Sequence, residues 1–371
     1  MQELDVKAVA TLVLWATFGL SVVFGAITQR THFCTMGAIA DIVSMGAWAR
    51  MRMWVTAMGV AMIGFNLMVA FGGLDAGKSL YGGPRFVWLS ALVGGAMFGF
   101  GMVLASGCGS KTLVRIGGGN LKSLVVFIVL GVSAFATLKG ITAVARVATV
   151  DNVALTLPTG QDLPSLLAAA TGLAKTTLAA ALGLVLGGTL IAWALSRAEG
   201  RSPDNLLAGF GVGAVIVGVW WVSGRLGYLA EDPNTLQEAF VATNSRRMES
   251  LSFVAPVAYT LDWLMFFSDK AKLLSLGIVS VVGVITGSAG YAVASKRFRW
   301  EGFRDASDTG NHLFGAALMG VGGVTALGCT IGQGLSGLST LSLTSFVAVA
   351  AIVCGAVAAL RFQSWRIERT I

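Results

Sequence analysis

The sequence predicts an all-α protein that crosses a membrane many times, with two pseudo-symmetric halves and glycine-broken or re-entrant helices. Three observations lead to this fold class. Of the 371 residues, 55% are hydrophobic and only 12% are charged, whereas soluble domains carry about 25% charged residues. Many segments reach the roughly 17–25 apolar residues that cross a bilayer. A glycine-rich stretch of the first half also recurs in the second half.

Nine apolar segments are long enough to be membrane-spanning helices. They lie at 8–27, 53–71, 86–107, 121–138, 172–195, 206–222, 273–294, 313–328 and 341–360. Two shorter apolar segments, 36–49 and 255–267, have the length of half-helices. The first segment has neither a basic leader nor a small-residue cleavage pattern, so we interpret it as a retained helix rather than a signal peptide.

An internal repeat relates the two halves of the chain. Residues 94–108 (GGAMFGFGMVLASGC) align without gaps on residues 315–329 (GAALMGVGGVTALGC), with eight of fifteen positions identical. The apolar segments that follow, 121–138 and 341–360, repeat at nearly the same spacing. The pattern predicts a first membrane repeat at 1–138, a connector with one helix at 139–202, and a second repeat at 203–371.

The distribution of basic residues predicts the orientation of the helices. Cytoplasmic loops of membrane proteins are enriched in lysine and arginine. Such clusters occur after the first segment, before the 313–328 segment and in the C-terminal tail: Arg30, Arg50, Arg52, Lys296, Arg297, Arg299, Arg304, Arg361, Arg366 and Arg369. This pattern predicts an external N-terminus, a cytoplasmic C-terminus and an inverted repeat. The net charge of +8 is divided among these short clusters, so we expect no nucleic-acid partner.

Runs of glycine interrupt one apolar segment in each half. Glycines at 94, 95, 99 and 101 suit close helix packing. The runs at 107–109, 117–119 and Gly332–Gly337 are too dense in glycine for a stable helix. Unwound backbone at membrane depth persists only where protein or a polar cavity satisfies it. Freed amide groups and helix N-termini favour an anion, so these breaks predict an anion site.

Three of the four cysteines occupy places that suit a function. Cys108 and Cys329 open the two breaks, and Cys34 follows the first apolar segment. Cys354 lies within an ordinary apolar helix, where packing is the simpler interpretation. The sequence has no CxxC pair and its two histidines are isolated, so we expect no metal site and no cofactor. A thiol is a weak hydrogen-bond donor and a soft contact, which suits the terminal sulfur of a sulfur anion.

These stretches resemble a known family. The sequences GCTIGQGLSGLSTLS, GCGSKTLVRIGGGNLKSL and FCTMGA look like those of the YeeE/YedE family of bacterial inner-membrane proteins. The resemblance implies a transporter, not an enzyme, that imports thiosulfate or a related sulfur anion. It also implies that Cys34, Cys108 and Cys329 line the substrate path, and that a small cytoplasmic sulfur-carrier protein is a partner.

Polar and small residues beside the cysteines are candidates for supporting roles. They are His32, Gly109, Lys111, Asn120, Thr330, Gly332 and Gln333. Each also has a simpler interpretation: Lys111 as a loop charge, His32 as a boundary residue, and Asn120 as the cap of the following helix. Asp41 and Asp262 lie in the two half-helices, where an ionisable residue is a candidate for proton coupling.

Two other functions stay open at this point. The chain could be a membrane sulfurtransferase in which a cysteine carries a persulfide, since His32 lies near Cys34 and Lys111 near Cys108. It could also be a membrane component that senses sulfur compounds during their oxidation and signals through its long connector. The physiological sulfur compound, the driving force and the oligomeric state do not follow from the sequence. Neither do the roles of the connector and of the long loop at 224–247.

Overall fold

The computed structural model describes residues 2–232, 235–303 and 305–369. Arg304 of the predicted basic cluster, and positions 233 and 234 of the long loop, lie outside the described residues. The prediction of an all-α, polytopic membrane protein is confirmed. Within the described chain, strands occur only as two pairs of two residues each, Arg85–Phe86 with Leu155–Thr156 and Tyr228–Leu229 with Ala239–Phe240.

Nine long α-helices form the body of the protein within the described ranges, and each contains or overlaps one of the nine apolar segments. They are α1 (Gln2–Thr31), α3 (Ala49–Ala70), α4 (Trp88–Leu104), α6 (Leu121–Lys139), α9 (Lys175–Leu195), α10 (Pro203–Trp221), α12 (Leu276–Ala294), α13 (Ala306–Thr325) and α14 (Leu343–Glu368). Eight stretches of the described chain are long and apolar enough to cross a membrane, and α13 is in none of them. The first turns of α13 carry Asp308 and His312, which lower its hydropathy.

Five short α-helices complete the element order. They are α2 (Thr35–Met45), α5 (Gly109–Gly117), α7 (Ile141–Ala148), α8 (Leu163–Thr171) and α11 (Ala255–Met265). The helices α2 and α11 confirm the two predicted half-helices. The second glycine-rich break is not unwound but forms one wide π-helical turn over Gly332–Gly337. Glycine tolerates the departure from α-helical geometry that such a turn requires.

Close packing explains the glycines of α4. A Cβ atom on Gly94 would lie 2.5 Å from the backbone nitrogen of Ala326, and one on Gly99 would lie 2.1 Å from the carbonyl oxygen of Ile352. Both distances are shorter than any normal contact, so a side chain at either position would push α4 away from its neighbours. The glycines therefore let α4 pack directly on the backbones of α13 and α14.

Polar contacts define two faces at opposite ends of the helices. On the Arg30 face, Arg30 pairs with Asp204 at 3.3 Å, Arg52 donates to the carbonyl oxygen of Trp193 at 2.7 Å, and Lys122 pairs with Asp308 at 2.8 Å. The Lys78 face carries the loops at 71–87, 140–174 and 227–254. Two of these loops are joined by a backbone hydrogen bond from Leu80 to Met248 of 3.0 Å.

The connector contributes more than the one predicted helix. Besides α9 it contains α7 and α8, and the turn between α7 and α8 docks on the segment that precedes α14. Leu163 donates its backbone N–H to the carbonyl oxygen of Leu341 at 3.1 Å, and Leu343 donates to that of Gln161 at 3.1 Å. The Gln161 side chain also accepts from the backbone nitrogen of Thr344 at 3.2 Å. The connector therefore caps the start of the last helix.

Candidate functional site

The three motif cysteines come together in the interior, each at the start of a short helical segment. Cys34 caps α2, and its sulfur accepts the backbone N–H of Gly37 at 3.4 Å. Cys108 directly precedes α5. Cys329 precedes the π-helical turn, and its sulfur accepts the backbone N–H of Gly332 at 3.4 Å. At Cys34 and at Cys329, a backbone amide at the start of the helical segment therefore points at the sulfur.

Cys108 is the central member of the group. Its thiol lies within hydrogen-bonding reach of the Cys34 thiol and near the hydroxyl of Thr330, and its sulfur is 3.2 Å from Ser110 Oγ. The Cys329 thiol is close enough to Cys108 for the two to interact electrostatically. Cys108 is 1% exposed and Cys329 is fully buried, whereas Cys34 is partly buried. Cys108 is therefore the thiol that interacts with both of the others.

The two long helices that lead to Cys108 and Cys329 end in the same way. Gly107 donates its backbone N–H to the carbonyl oxygen of Met102, and Gly328 donates to that of Gly323, each at 2.8 Å. Two residues before each cysteine, Ser106 and Leu327 adopt a left-handed conformation with φ of 57°. The matching hydrogen bonds turn the chain sharply after each helix and bring the cysteine back into the interior. This likeness is local, and the symmetry of the complete halves stays a prediction.

Several buried donors around the cysteines have no aligned hydrogen-bond partner within the described part of the chain. They belong to Thr35, Trp54, Tyr81 and Thr330. Thr35 and Thr330 directly follow Cys34 and Cys329, and an added Cβ on Gly334 of the π-helical turn would meet the ring of Trp54 at 2.7 Å. Buried polar groups in proteins are almost always paired. Donors that are buried and unpaired are suited to bind the oxygens of an anion.

A cavity approaches the thiols from each face. The Arg30-face cavity has a volume of about 550 Å³. Five cationic side chains and two carboxylates contribute to its lining: Lys111, Arg115, Lys122, Arg297, Arg299, Glu301 and Asp308. The Lys78-face cavity is smaller, about 140 Å³, and extends to Ser252 and to Gly328 beside Cys329. The excess of positive charge makes the Arg30-face cavity suited to anions.

Most of the predicted supporting residues lie beside the thiols or along this approach. His32 and Lys111 line the Arg30-face cavity, and Lys111 is within electrostatic range of both Cys34 and Cys108. An added Cβ on Gly109 would lie 2.9 Å from the carbonyl oxygen of Phe253, so glycine permits close approach there. Gly332 supplies the N–H that binds the Cys329 sulfur.

Asn120 and Gln333 are engaged in structural hydrogen bonds. Asn120 accepts the backbone N–H of Ser123 at 2.9 Å, which confirms its alternative role as the cap of α6, and it lines the Arg30-face cavity. Gln333 is fully buried, donates to the carbonyl oxygen of Ala326 at 2.5 Å and accepts from Ser345 Oγ at 2.6 Å. Gln333 therefore ties the π-helical turn to α13 and α14.

The remaining candidates lie outside the cysteine cluster. Cys354 is exposed on α14, one of the helices long and apolar enough to cross a membrane. Asp41 pairs with Arg50 at 3.2 Å and Asp262 pairs with Lys272 at 2.5 Å, so both carboxylates are neutralised by a cation. Within the described ranges, no group of three metal-ligating side chains is present.

The structure adds residues that the sequence analysis did not single out. One of them is Phe253, whose backbone N–H lies within reach of the Cys329 sulfur. Its ring packs against Phe24 at a centroid distance of 5.6 Å. Tyr81 and Ser252 come from two loops of the Lys78 face and meet beside Gly332. No motif in the sequence marks Phe253, Tyr81 or Ser252.

The chain is similar to several known proteins. A family model described as "Sulphur transport" matches residues 30–358. The thiosulfate transporter TsuA of Escherichia coli (strain K12) is 27% identical over 340 residues, covering 89% of each chain. TsuA of Spirochaeta thermophila is 25% identical over 357 residues, covering 92% of this chain and 96% of the relative. A probable transporter YedE of Salmonella typhimurium is 33% identical over 92 residues, 25% of this chain and 21% of that protein.

Proposed function

The chain belongs to the Sulphur transport family, and from this premise we propose that it imports thiosulfate past the thiols of Cys34, Cys108 and Cys329. The protein is a multi-pass membrane transporter for a sulfur compound, not an enzyme. The observation that carries the finer proposal is the row of three thiols between a cavity on the Arg30 face and a cavity on the Lys78 face.

The chemistry of the cluster suits an anion with one sulfur end and one oxygen end. The thiols offer S–H donors and soft contacts to the terminal sulfur of thiosulfate, which binds water less well than oxygen does. Unpaired donors and helix N-termini face the same region and suit the oxygens. Passage from Cys329 through Cys108 to Cys34 exchanges one thiol contact for the next, so no step requires a covalent bond to the protein.

Uptake of labelled thiosulfate by purified protein in proteoliposomes tests this proposal. Sulfite, sulfide and selenite as competitors define which sulfur or selenium compound the protein prefers. Mass spectrometry of the protein after exposure to thiosulfate separates transport from the sulfurtransferase alternative. Unmodified thiols together with uptake support transport, whereas a stable added sulfur on Cys34 or Cys108 without uptake would contradict it.

The orientation belongs to the proposal as well. We propose that the protein lies in the bacterial inner membrane, with residues 1–138 and 203–371 as its two halves and 139–202 as their connector. The Arg30 face would then be cytoplasmic, and a small sulfur-carrier protein would receive the substrate there.

Reporter fusions after Lys7 and after Arg369 should report opposite sides, external and cytoplasmic respectively. Equal signals from both fusions would contradict an odd number of crossings.

Glu249 provides a prediction about pH. It lines the Lys78-face cavity, accepts a hydrogen bond from the backbone nitrogen of Ser245 at 2.9 Å, and forms no ion pair with a described residue. Arg146 and the hydroxyl of Tyr259 line the same cavity. Burial raises the pKa of the Glu249 carboxyl, and the hydrogen bonds from Ser245 offset only part of that effect. The carboxyl therefore becomes neutral at a higher pH than an exposed glutamate, whose pKa is about 4.3.

A charged carboxylate in this small cavity repels a dianion, and a neutral carboxyl does not. Thiosulfate uptake should therefore increase several-fold as the pH falls from neutral through the raised pKa. Glu249→Gln should remove this increase by making uptake at neutral pH as fast as uptake by the wild type at low pH. Glu238→Gln is the matched control, because Glu238 pairs with Lys78 at the surface. A wild-type pH profile for Glu249→Gln would contradict the prediction.

A further inference from the structure

Tyr81 is held in a fixed position on the Lys78 side of the cysteine cluster. It follows the short 3₁₀ turn Ala76–Lys78 and is only 2% exposed. Its ring packs against Trp220 in an edge-to-face arrangement, with the centroids 6.3 Å apart. Its carbonyl oxygen accepts a hydrogen bond from Ser342 Oγ of 2.8 Å. The side chain therefore has little freedom, and the direction of its hydroxyl is set by the fold.

The Tyr81 hydroxyl points at the backbone of Gly332. A Cβ atom built on Gly332 would lie 3.2 Å from the Tyr81 hydroxyl and 2.5 Å from Ser252 Oγ. Gly332 is also the residue whose N–H binds the Cys329 sulfur, and the Tyr81 hydroxyl is within electrostatic range of that thiol. A phenol, a serine hydroxyl and a thiol thus surround one glycine, where any side chain would fill the space between them.

The hydroxyl has no aligned hydrogen-bond partner among the described residues, although Ser252 approaches it. A buried, unpaired hydroxyl costs stability and is rarely kept without a use. Ser252 also lines the Lys78-face cavity, as does Gly328, the neighbour of Cys329. The Tyr81 hydroxyl is therefore close both to Ser252 of the cavity lining and to the first thiol that a substrate from this face would meet.

We propose that Tyr81 is a specificity-determining residue whose hydroxyl donates a hydrogen bond to an oxygen of the sulfur oxyanion while the terminal sulfur contacts Cys329. This role rests on the proposed function. It assigns the two ends of the substrate to different groups, since the phenol is a hard donor and the thiol a soft one. An anion with a terminal sulfur and oxygens can bind Cys329 and the Tyr81 hydroxyl at the same time. An anion that lacks either the terminal sulfur or the oxygens leaves one of these two donors unpaired.

The test removes the hydroxyl and keeps the ring. Tyr81→Phe should raise the KM for thiosulfate in proteoliposomes about tenfold, which corresponds to one lost hydrogen bond to a charged group. The melting temperature of the substrate-free protein should be equal to that of the wild type or higher, because the variant no longer buries an unpaired hydroxyl. Tyr228→Phe is the control, since its hydroxyl lies at the surface near Glu238, and it should keep the wild-type KM.

The combination of readouts separates substrate binding from packing. A raised KM with the melting temperature retained supports the proposal. A wild-type KM, or a raised KM accompanied by a clear loss of melting temperature, overturns it. The serine variant of Cys108, measured in parallel, separates this inference from the proposed function. An inactive Cys108→Ser with a wild-type KM for Tyr81→Phe refutes only the role of Tyr81, whereas failure of the wild-type protein to take up thiosulfate refutes the function itself.

Discussion

Replacing Cys108 by serine should reduce thiosulfate uptake about 100-fold, and replacing Cys329 by serine should also reduce it severely. Serine nearly preserves the volume of the side chain but replaces the soft S–H donor by a hard O–H donor. A hydroxyl binds water as well as it binds the terminal sulfur of thiosulfate, so the preference for the substrate is lost. Cys108 should lose most because it is the central thiol and exchanges the substrate with both Cys34 and Cys329. Weakening these two exchanges by about 1.4 kcal/mol each corresponds to a factor of about 100.

The matched control for these variants is Cys354→Ser. Its thiol is exposed on α14, so the same chemical change there should leave uptake unaltered. Initial rates of labelled thiosulfate uptake, normalised to the amount of inserted protein, provide the measurement. Near wild-type uptake by both Cys108→Ser and Cys329→Ser would refute the thiol path and leave an anion route formed by backbone and hydroxyl groups.

Two glycines on α12 should respond in opposite ways to the same substitution. An added Cβ on Gly287 would lie 1.9 Å from the carbonyl oxygen of Val22, so α1 and α12 would have to separate. An added Cβ on Gly290 meets nothing within 4 Å. Gly287→Ala should destabilise the protein by about 3 kcal/mol, the upper end of the usual cost of overpacking. Gly290→Ala should be neutral or stabilising by up to about 1 kcal/mol, because alanine favours a helix.

Unfolding of the purified variants in detergent measures this difference. Because the two glycines lie three residues apart on one helix, they share the same insertion and the same unfolded state. Any difference in stability therefore reports the contact with α1. Equal stability of the two variants would show that α1 and α12 adjust to a methyl group without cost.

The sequence predicts most of the helices, because hydropathy and length are local properties. All nine apolar segments correspond to long helices, and the half-helices α2 and α11 are also present. The prediction failed where tertiary side-chain hydrogen bonds determine the backbone conformation. The Gly332–Gly337 run looked unwound, yet Gln333 holds it as a π-helical turn through bonds to Ala326 and Ser345. Such bonds depend on α13 and α14, and no local pattern contains them.

Of the candidate site, the sequence predicted the three cysteines, and their role in transport stays a prediction. Their motifs and the repeat singled out Cys34, Cys108 and Cys329, which the structure brings together. Tyr81 and Ser252 come from loops far apart in the chain, and nothing in their neighbours marks them. Their meeting at Gly332 is set by how two loops fold over the Lys78 face. A residue whose role depends only on tertiary contacts cannot be identified from a single sequence.

The docking of the connector on the segment before α14 has a consequence for synthesis of the chain. Gln161 and Thr344 are 183 residues apart, so the ribosome releases the first long before the second. During translation the Gln161 amide must be satisfied by water until the final helix enters the membrane. The bond from Ser345 of α14 to Gln333 of the π-helical turn likewise forms only after all three motif cysteines have been synthesised. A nascent chain that stops before Leu343 would already carry all three motif cysteines, yet it would lack the support that holds them in place.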